Sequence, residues 1–240
     1  MAEMCLLAVE TSQRPGGVAL AVGDAAPVGR PLTADRANAA ELFPAIEQLL
    51  REAGRRLLDV TVLAYSCGPG SFTGLRVAAT LGRMLQSTVG CRVVAVPTLE
   101  VIARNALAHP QRPRRLAVML DARRGQVFGG LFERLGEELV TLVPAGLFEP
   151  QAWLRELGSP LWVLGAGVGS IAAAIVAGAT VLEESYWPAR AEQVAAIGVR
   201  LAAAGRFCSP EQIVPLYIRP PECEEVYERR RAAARERRGE

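Results

Sequence analysis

Asp59-Val-Thr-Val-Leu-Ala-Tyr-Ser66, running straight into Cys67-Gly-Pro-Gly-Ser-Phe-Thr-Gly-Leu-Arg76, is the stretch that decides the fold class. Its first half is β-branched, apolar and stopped by glycines, which predicts a core strand. Its second half opens a helix over about residues 74–88, with Ser71 or Thr73 able to cap it. A buried strand turning through glycines into a helix is the repeating unit of α/β proteins. Gly68, Gly70 and Gly74 permit tight turning and close backbone approach, and the first amides of the helix can meet an anion. The loop is not a Walker A loop, because it lacks the lysine and the spacing differs. It is built for tight contact, with either a phosphate or another protein.

Toward the N-terminus, residues 4–10 form an apolar run expected as a buried strand. A turn at Pro15-Gly-Gly17 leads to a second strand over 17–23, paired as a hairpin, and a third is expected over 28–33. An amphipathic helix follows at about 38–53, with Leu42, Ile46, Leu49, Leu50 and Ala53 on one face. Asn38 is the expected N-cap, Gly54 the stop, and Pro44 falls in the first turns.

Toward the C-terminus, a strand over 91–96 and a helix over 98–108 precede a proline-broken basic segment, 108–115, which marks a lobe boundary. Strands 116–120 and 127–133 pair around Asp121-Ala-Arg-Arg-Gly125, and 139–143 is another strand. Strand 162–164 enters Gly165-Ala-Gly-Val-Gly169, followed by an alanine-rich helix, a strand at 180–182 and a long helix over 190–204. Strands come first and then alternate with helices, twice over, which predicts a mixed sheet in each of two lobes. The division is 1–110 and 111–220, with the last segment able to return to the first lobe, and a charged tail over 221–240. The arginine runs of that tail, 229–231 and 237–238, are the basic cluster able to touch RNA; the alternative is a solvated charged tail.

Composition removes several chemistries. The 240 residues carry a net charge of +2, so there is no global electrostatic case for nucleic-acid binding. All 27 basic residues are arginine, which excludes a P-loop lysine and Schiff-base catalysis. The single histidine, His109, cannot build a two-histidine metal site, and its Ala108-His109-Pro110 setting predicts a solvated loop residue. The five cysteines are odd in number and form no C-x-x-C pair, so they are expected as reduced thiols. No basic signal-peptide start and no apolar run of about 20 residues occur, so a cytoplasmic protein without a membrane span is expected.

Four segments could carry function. Leu7-Ala-Val-Glu-Thr-Ser12 places Glu10 and Thr11 at the end of the first strand, where they can face a phosphate or its metal. The 68–74 loop, with Gly68, Gly70 and Ser71, is the second part of that possible nucleotide site. Behind it, Gly74, Ala78 and Gly82 recur at i, i+4, i+8, a smooth stripe on which another helix can pack. Asp121-Ala-Arg-Arg-Gly-Gln-Val127 is a polar hairpin with or without functional side chains, and Gly165–Gly169 resembles part of a nucleotide-binding glycine loop.

In the order Leu6–Ser12, Gly68–Arg76, Val96-Pro-Thr-Leu99, Asp121–Phe128 and Pro215-Leu-Tyr-Ile-Arg219, the chain resembles the TsaB (YeaZ) family over residues 4–220. That resemblance implies a two-lobed actin-like (ASKHA, ribonuclease H-like) α/β fold with a mixed sheet flanked by helices in each lobe. It implies a non-catalytic subunit in the making of N6-threonylcarbamoyladenosine on tRNA, with no catalytic or metal-binding residues of its own. The implied partners are a TsaD-like transferase, a TsaE-like ATPase, a second copy of itself, and tRNA through the complex. No cofactor is expected on this chain alone, with ATP and magnesium at the complex interface the remaining option. The implied partner face is Asn38, Leu42, Ile46, Gly74, Arg76, Ala78 and Gly82. Asn38 stands where the family often has histidine, and Glu10 where it usually has aspartate. The competing expectation is a free-standing ATPase or small-molecule kinase using Glu10, Thr11 and the 68–74 loop.

Overall fold

The computed structural model describes residues 3–33, 38–170 and 178–219. The charged tail and the alanine-rich segment after Ser170 lie outside the described residues.

Two five-stranded sheets are built to one plan. In the first, β1 (Cys5–Glu10), β2 (Gly17–Val22) and β3 (Val28–Pro31) form an antiparallel meander. Two further strands, β4 (Val62–Gly68) and β5 (Arg92–Pro97), add parallel to the other side of β1, giving the order β3-β2-β1-β4-β5. The second sheet repeats this with β6 (Arg115–Asp121), β7 (Val127–Leu135), β8 (Glu138–Phe148), β9 (Leu161–Leu164) and β10 (Ala179–Val181), in the order β10-β9-β6-β7-β8. The senses repeat too: β6 pairs antiparallel with β7 and parallel with β9, as β1 does with β2 and β4. Doubling of this mixed sheet is the actin-like architecture.

Helices cover the sheets in three layers. The outer face of the first sheet carries α1 (Asn38–Glu52) and α2 (Phe72–Thr88), whose buried leucines meet Leu7, Val9, Leu63 and Tyr65. In the middle lie α3 (Thr98–Asn105) and α5 (Ala191–Ala203), within one apolar cluster that joins Leu6 and Ala64 of the first sheet to Leu116 and Val118 of the second. The outer face of the second sheet is closed by α4 (Pro150–Leu157) through Trp153 and Leu154.

Several expectations change. A helix at 150–157 was not foreseen, and β8 runs on to Phe148. Its signals are conventional: Pro150 in the first turn, the Glu149 carboxylate accepting from the Gln151 and Ala152 amides, and Gly158 at the stop. Asn38 opens α1 from inside the helix instead of capping it. His109 is not solvated. It is 6% exposed, with Trp162 and Tyr186 ring centroids at 5.4 and 5.2 Å and Glu183 Oε2 3.4 Å from Nε2. A 3-10 turn over Ala106–Ala108 swings it inward before the proline.

The middle layer depends on Gly198, where an added Cβ would stand 2.5 Å from the Ala64 Cβ. Gly198→Leu should lift α5 off the first sheet and cost about 3 kcal/mol or more, read as a lower urea midpoint; an unchanged midpoint would contradict the packing.

Candidate functional site: the interlobe cleft and the α1–α2 face

The end of β1 and the 68–74 loop are pressed together backbone to backbone. Gly74 lies so close to Thr11 that an added Cβ would stand 1.8 Å from the Thr11 carbonyl oxygen. At Gly70 the same atom would stand 2.4 Å from the Ser12 carbonyl oxygen. The gap is bridged by the Ser71 amide, which donates to Ser12 O at 2.7 Å, and by Thr11 Oγ1, which donates to Gly74 O at 2.7 Å. Ser71 is the helix cap, accepting from the Gly74 amide at 3.3 Å. Gly68 has φ +127°, a conformation other residues rarely adopt, and the Leu216 carbonyl would be 2.7 Å from its Cβ. Three glycines of the loop thus receive two stretches of this chain's own backbone, residues 11–12 and Leu216.

This clasp seals Glu10. Its carboxylate has no exposure; Oε1 accepts from the Ser12 amide at 2.6 Å and from the Ser12 hydroxyl, and Oε2 accepts from the Ser66 hydroxyl. Burial pushes its pKa up from 4.5, against the hydrogen bonds that lower it. Glu10 and Thr11 are therefore interior groups, and neither lines the cleft. Gly68 is likewise buried under Leu216. Of the expected nucleotide residues, Gly70 and Ser71 do reach the cleft wall.

The cleft itself, about 930 Å³, opens between the lobes. Ser12, Gln13 and residues 69–73 form one wall, the turn 121–124 the other, and residues 216–219 cross between them. Phe72 stacks on Tyr217 with centroids 5.3 Å apart, and the Arg76 guanidinium lies 3.9 Å over the Phe72 ring while its Nε donates to the Tyr217 hydroxyl. Arg123 and Arg124 sit at φ +61° and +53° at the tip of the β6–β7 hairpin. Phe72 and Tyr217 lie in two of the segments that carry the resemblance, but no local signal pairs them, and Gln13 carries none, because the chain folds back across the cleft from the far end.

Among the described residues the cleft lining offers no base paired with a nucleophile. Asp121 is the one carboxylate among them, with Oδ1 accepting from the Arg123 amide, and His109 lies elsewhere. Burial pushes the nearby Cys67 thiol up to about 12, so it is no thiolate at neutral pH. No group of three His, Cys, Asp or Glu residues among the described residues could hold a metal ion. With Glu10 sealed, that carboxylate is not available to a magnesium-bound nucleotide in the cleft. No helix of the described residues is long and apolar enough to cross a membrane.

The expected partner face also differs in detail. Leu42, Ile46, Gly74, Ala78 and Gly82 are all buried within the chain. The small-residue stripe receives Thr11 at Gly74 and Ile213, Leu63 and Val93 at Gly82, so it is filled from inside. The side chain of Asn38 lies outside the described residues, and Arg76 is exposed. What α1 and α2 do present outward is Phe43, 52% exposed, and Met84, 39% exposed. Between the two helices runs a groove of about 350 Å³ lined by Phe43, Ile46, Leu50, Leu81 and Leu85, with Glu47 and three arginines, Arg51, Arg55 and Arg56, also on its lining. The Gly165–Gly169 cluster is structural as well: Cβ atoms at Gly165 and Gly167 would meet the β6 backbone at 2.3 and 2.9 Å.

The family model described as "TsaD: tRNA N6-adenosine threonylcarbamoyltransferase" matches residues 29–162. The chain is 29% identical over 165 residues to the tRNA threonylcarbamoyladenosine biosynthesis protein TsaB of Bacillus subtilis strain 168, covering 68% of this chain and 71% of that protein. It is 26% identical over 196 residues to the protein of the same description from Escherichia coli K12, covering 77% and 81%. The solved structure of YeaZ from Pseudomonas aeruginosa superposes with a TM-score of 0.77 at 25% identity, over 89% of this chain and 99% of that one.

Two outcomes test the clasp. Gly74→Ala should cost about 3 kcal/mol or leave the chain unfolded, since backbone must move to admit the methyl group; wild-type stability would refute the close approach. The folded state holds the Glu10 proton more tightly than the unfolded chain, so this group's contribution falls as pH rises above 4.5 toward the raised value. Glu10→Gln should remove that part of the slope of unfolding free energy against pH, and identical slopes would rule it out.

Proposed function

The chain belongs to the TsaB (YeaZ) family of tRNA threonylcarbamoyladenosine biosynthesis proteins, and from that premise we propose that it is a non-catalytic subunit pairing with a TsaD-type transferase. The observation that carries the reading is the outward face of α1 and α2. Phe43 stands exposed at an apolar groove lined also by Glu47 and three arginines, and Met84 is exposed on α2, while the helices' other faces complete the chain's own core. Large apolar side chains gathered around a groove are the anchors that interfaces use. A TsaE-type ATPase, a second copy of the chain, and tRNA reached through the complex complete the proposed set of partners. ATP and magnesium, where they act, belong to the assembled complex.

A free-standing ATPase or small-molecule kinase is the second reading, favoured by the size of the cleft and by its arginines. It stands second because Glu10 and Thr11, its required phosphate- and metal-facing groups, are turned into the interior. Titration calorimetry of the isolated chain with ATP and magnesium separates the two, heat and hydrolysis favouring the kinase reading.

The partner reading is tested by co-purification with a tagged TsaD-type subunit from the same organism. The wild-type chain should be retained. Phe43→Glu and Met84→Glu, both at exposed positions, should keep the wild-type melting temperature and weaken the pair about 30-fold or more. Undiminished binding by both variants would place the interface elsewhere.

A further inference from the structure

Residues 208–219 leave α5 and run along the first lobe before crossing to the second. On the first lobe the segment is held at many points. The Cys208 amide donates to Val93 O at 2.8 Å, Arg83 Nε to Ile213 O at 2.9 Å, the Tyr65 hydroxyl to Val214 O at 3.2 Å, and the Leu216 amide to Cys67 O at 2.7 Å. Ile213 is buried against Gly82, and Tyr217 stacks on Phe72. On the second lobe, among the described residues, a single side chain does the holding. Arg219 Nη1 donates to Ala122 O at 2.6 Å, and Nη2 to the Gln126 side-chain carbonyl.

We infer that residues 208–219 are a strap that sets the opening of the interlobe cleft, with Arg219 as its clasp on the second lobe. The lobes share one apolar cluster at the middle layer, so they are joined at the base and relative motion is concentrated at the mouth. The strap crosses that mouth. The turn it grips is closed by its own bonds, Ala122 N to Gln126 O and Gln126 N to Arg123 O, both 3.0 Å. Arg219 therefore positions the whole turn, carrying Arg123 and Arg124 with it, relative to the wall at 69–73. The asymmetry of anchoring dictates the order of release: the many-point attachment to the first lobe outlasts the one-residue attachment to the second. A charged donor making two hydrogen bonds is stronger than a neutral pair, yet it remains one side chain.

Hydrogen exchange read by mass spectrometry on the full chain tests this. Arg219→Ala should accelerate exchange about tenfold at both walls, in the 121–127 turn and in the 69–73 loop, with the melting temperature lowered by only about 2–4 °C. Arg219→Lys, which keeps the charge but not the two-pronged donor, should fall between the wild type and Arg219→Ala. Gln126→Ala removes one acceptor without altering the strap and should give the same two-wall pattern more weakly. Acceleration confined to the 121–127 turn, or no acceleration in either variant, overturns the strap as a control on the cleft.

Discussion

The approach of the Thr11 carbonyl to the backbone of Gly74 is the contact on which the first lobe is built. It brings the end of β1 against the first turn of α2, and so fixes how α2 lies on the sheet. Once those two backbones meet, the Ser12 carbonyl has a donor in Ser71, Thr11 has an acceptor in Gly74, and Glu10 is enclosed with Ser12 and Ser66. A carboxylate at the end of the first strand, which could otherwise have faced a ligand, becomes part of the interior. In this chain the same glycines that would allow a loop to wrap a phosphate admit protein backbone instead. A side chain at Gly74 would block the clasp regardless of how well the rest of the loop were made.

Element type was largely legible in the sequence, because hydrophobic period and glycine punctuation are local signals. The strands flanking the 68–74 loop, the Leu42, Ile46, Leu49 and Leu50 face of α1 and the long helix near the C-terminus stand close to where periodicity puts them, whereas Ala53 falls past the end of α1 and is exposed. What local signals could not show is which partner a glycine admits. The Gly74, Ala78, Gly82 stripe reads as a docking groove for a second chain until Ile213 is found lying across it. Ile213 is a long way off in sequence and carries no mark of that contact. His109 is a similar case: a proline-flanked histidine looks solvated, and only the placement of Trp162 and Tyr186 around it makes it a core residue. The helix at 150–157 was legible, through Pro150, the Glu149 cap and the Trp153/Leu154/Leu157 spacing, but its eight residues are short for a periodicity argument.

Duplication of the sheet gives the molecule two equivalent ends that have diverged in use. At the corresponding position α1 covers the first sheet and α4 the second, yet α1 is nearly twice as long and presents Phe43 outward, whereas α4 buries its aromatic residue, Trp153. The hairpins facing the cleft have diverged as well. The one from the first lobe is clamped by the 68–74 loop, and the one from the second offers arginines at its tip. The doubled sheet thus carries one outer face that exposes Phe43 and one cleft whose second-lobe wall bears Arg123 and Arg124.

The middle layer also bears on how the chain comes into being. Helix α5 covers β1, β2 and β4, although β1 opens the described sequence and α5 comes close to its end. While the chain is being synthesised, the face of the first sheet formed by Leu6, Ala8 and Ala64 has only the partial cover of α3 until residues beyond 190 have emerged. Nearly the whole polypeptide must exist before the first lobe can close, which makes this a fold of long-range contacts that completes late and leaves an apolar sheet face in need of shelter meanwhile.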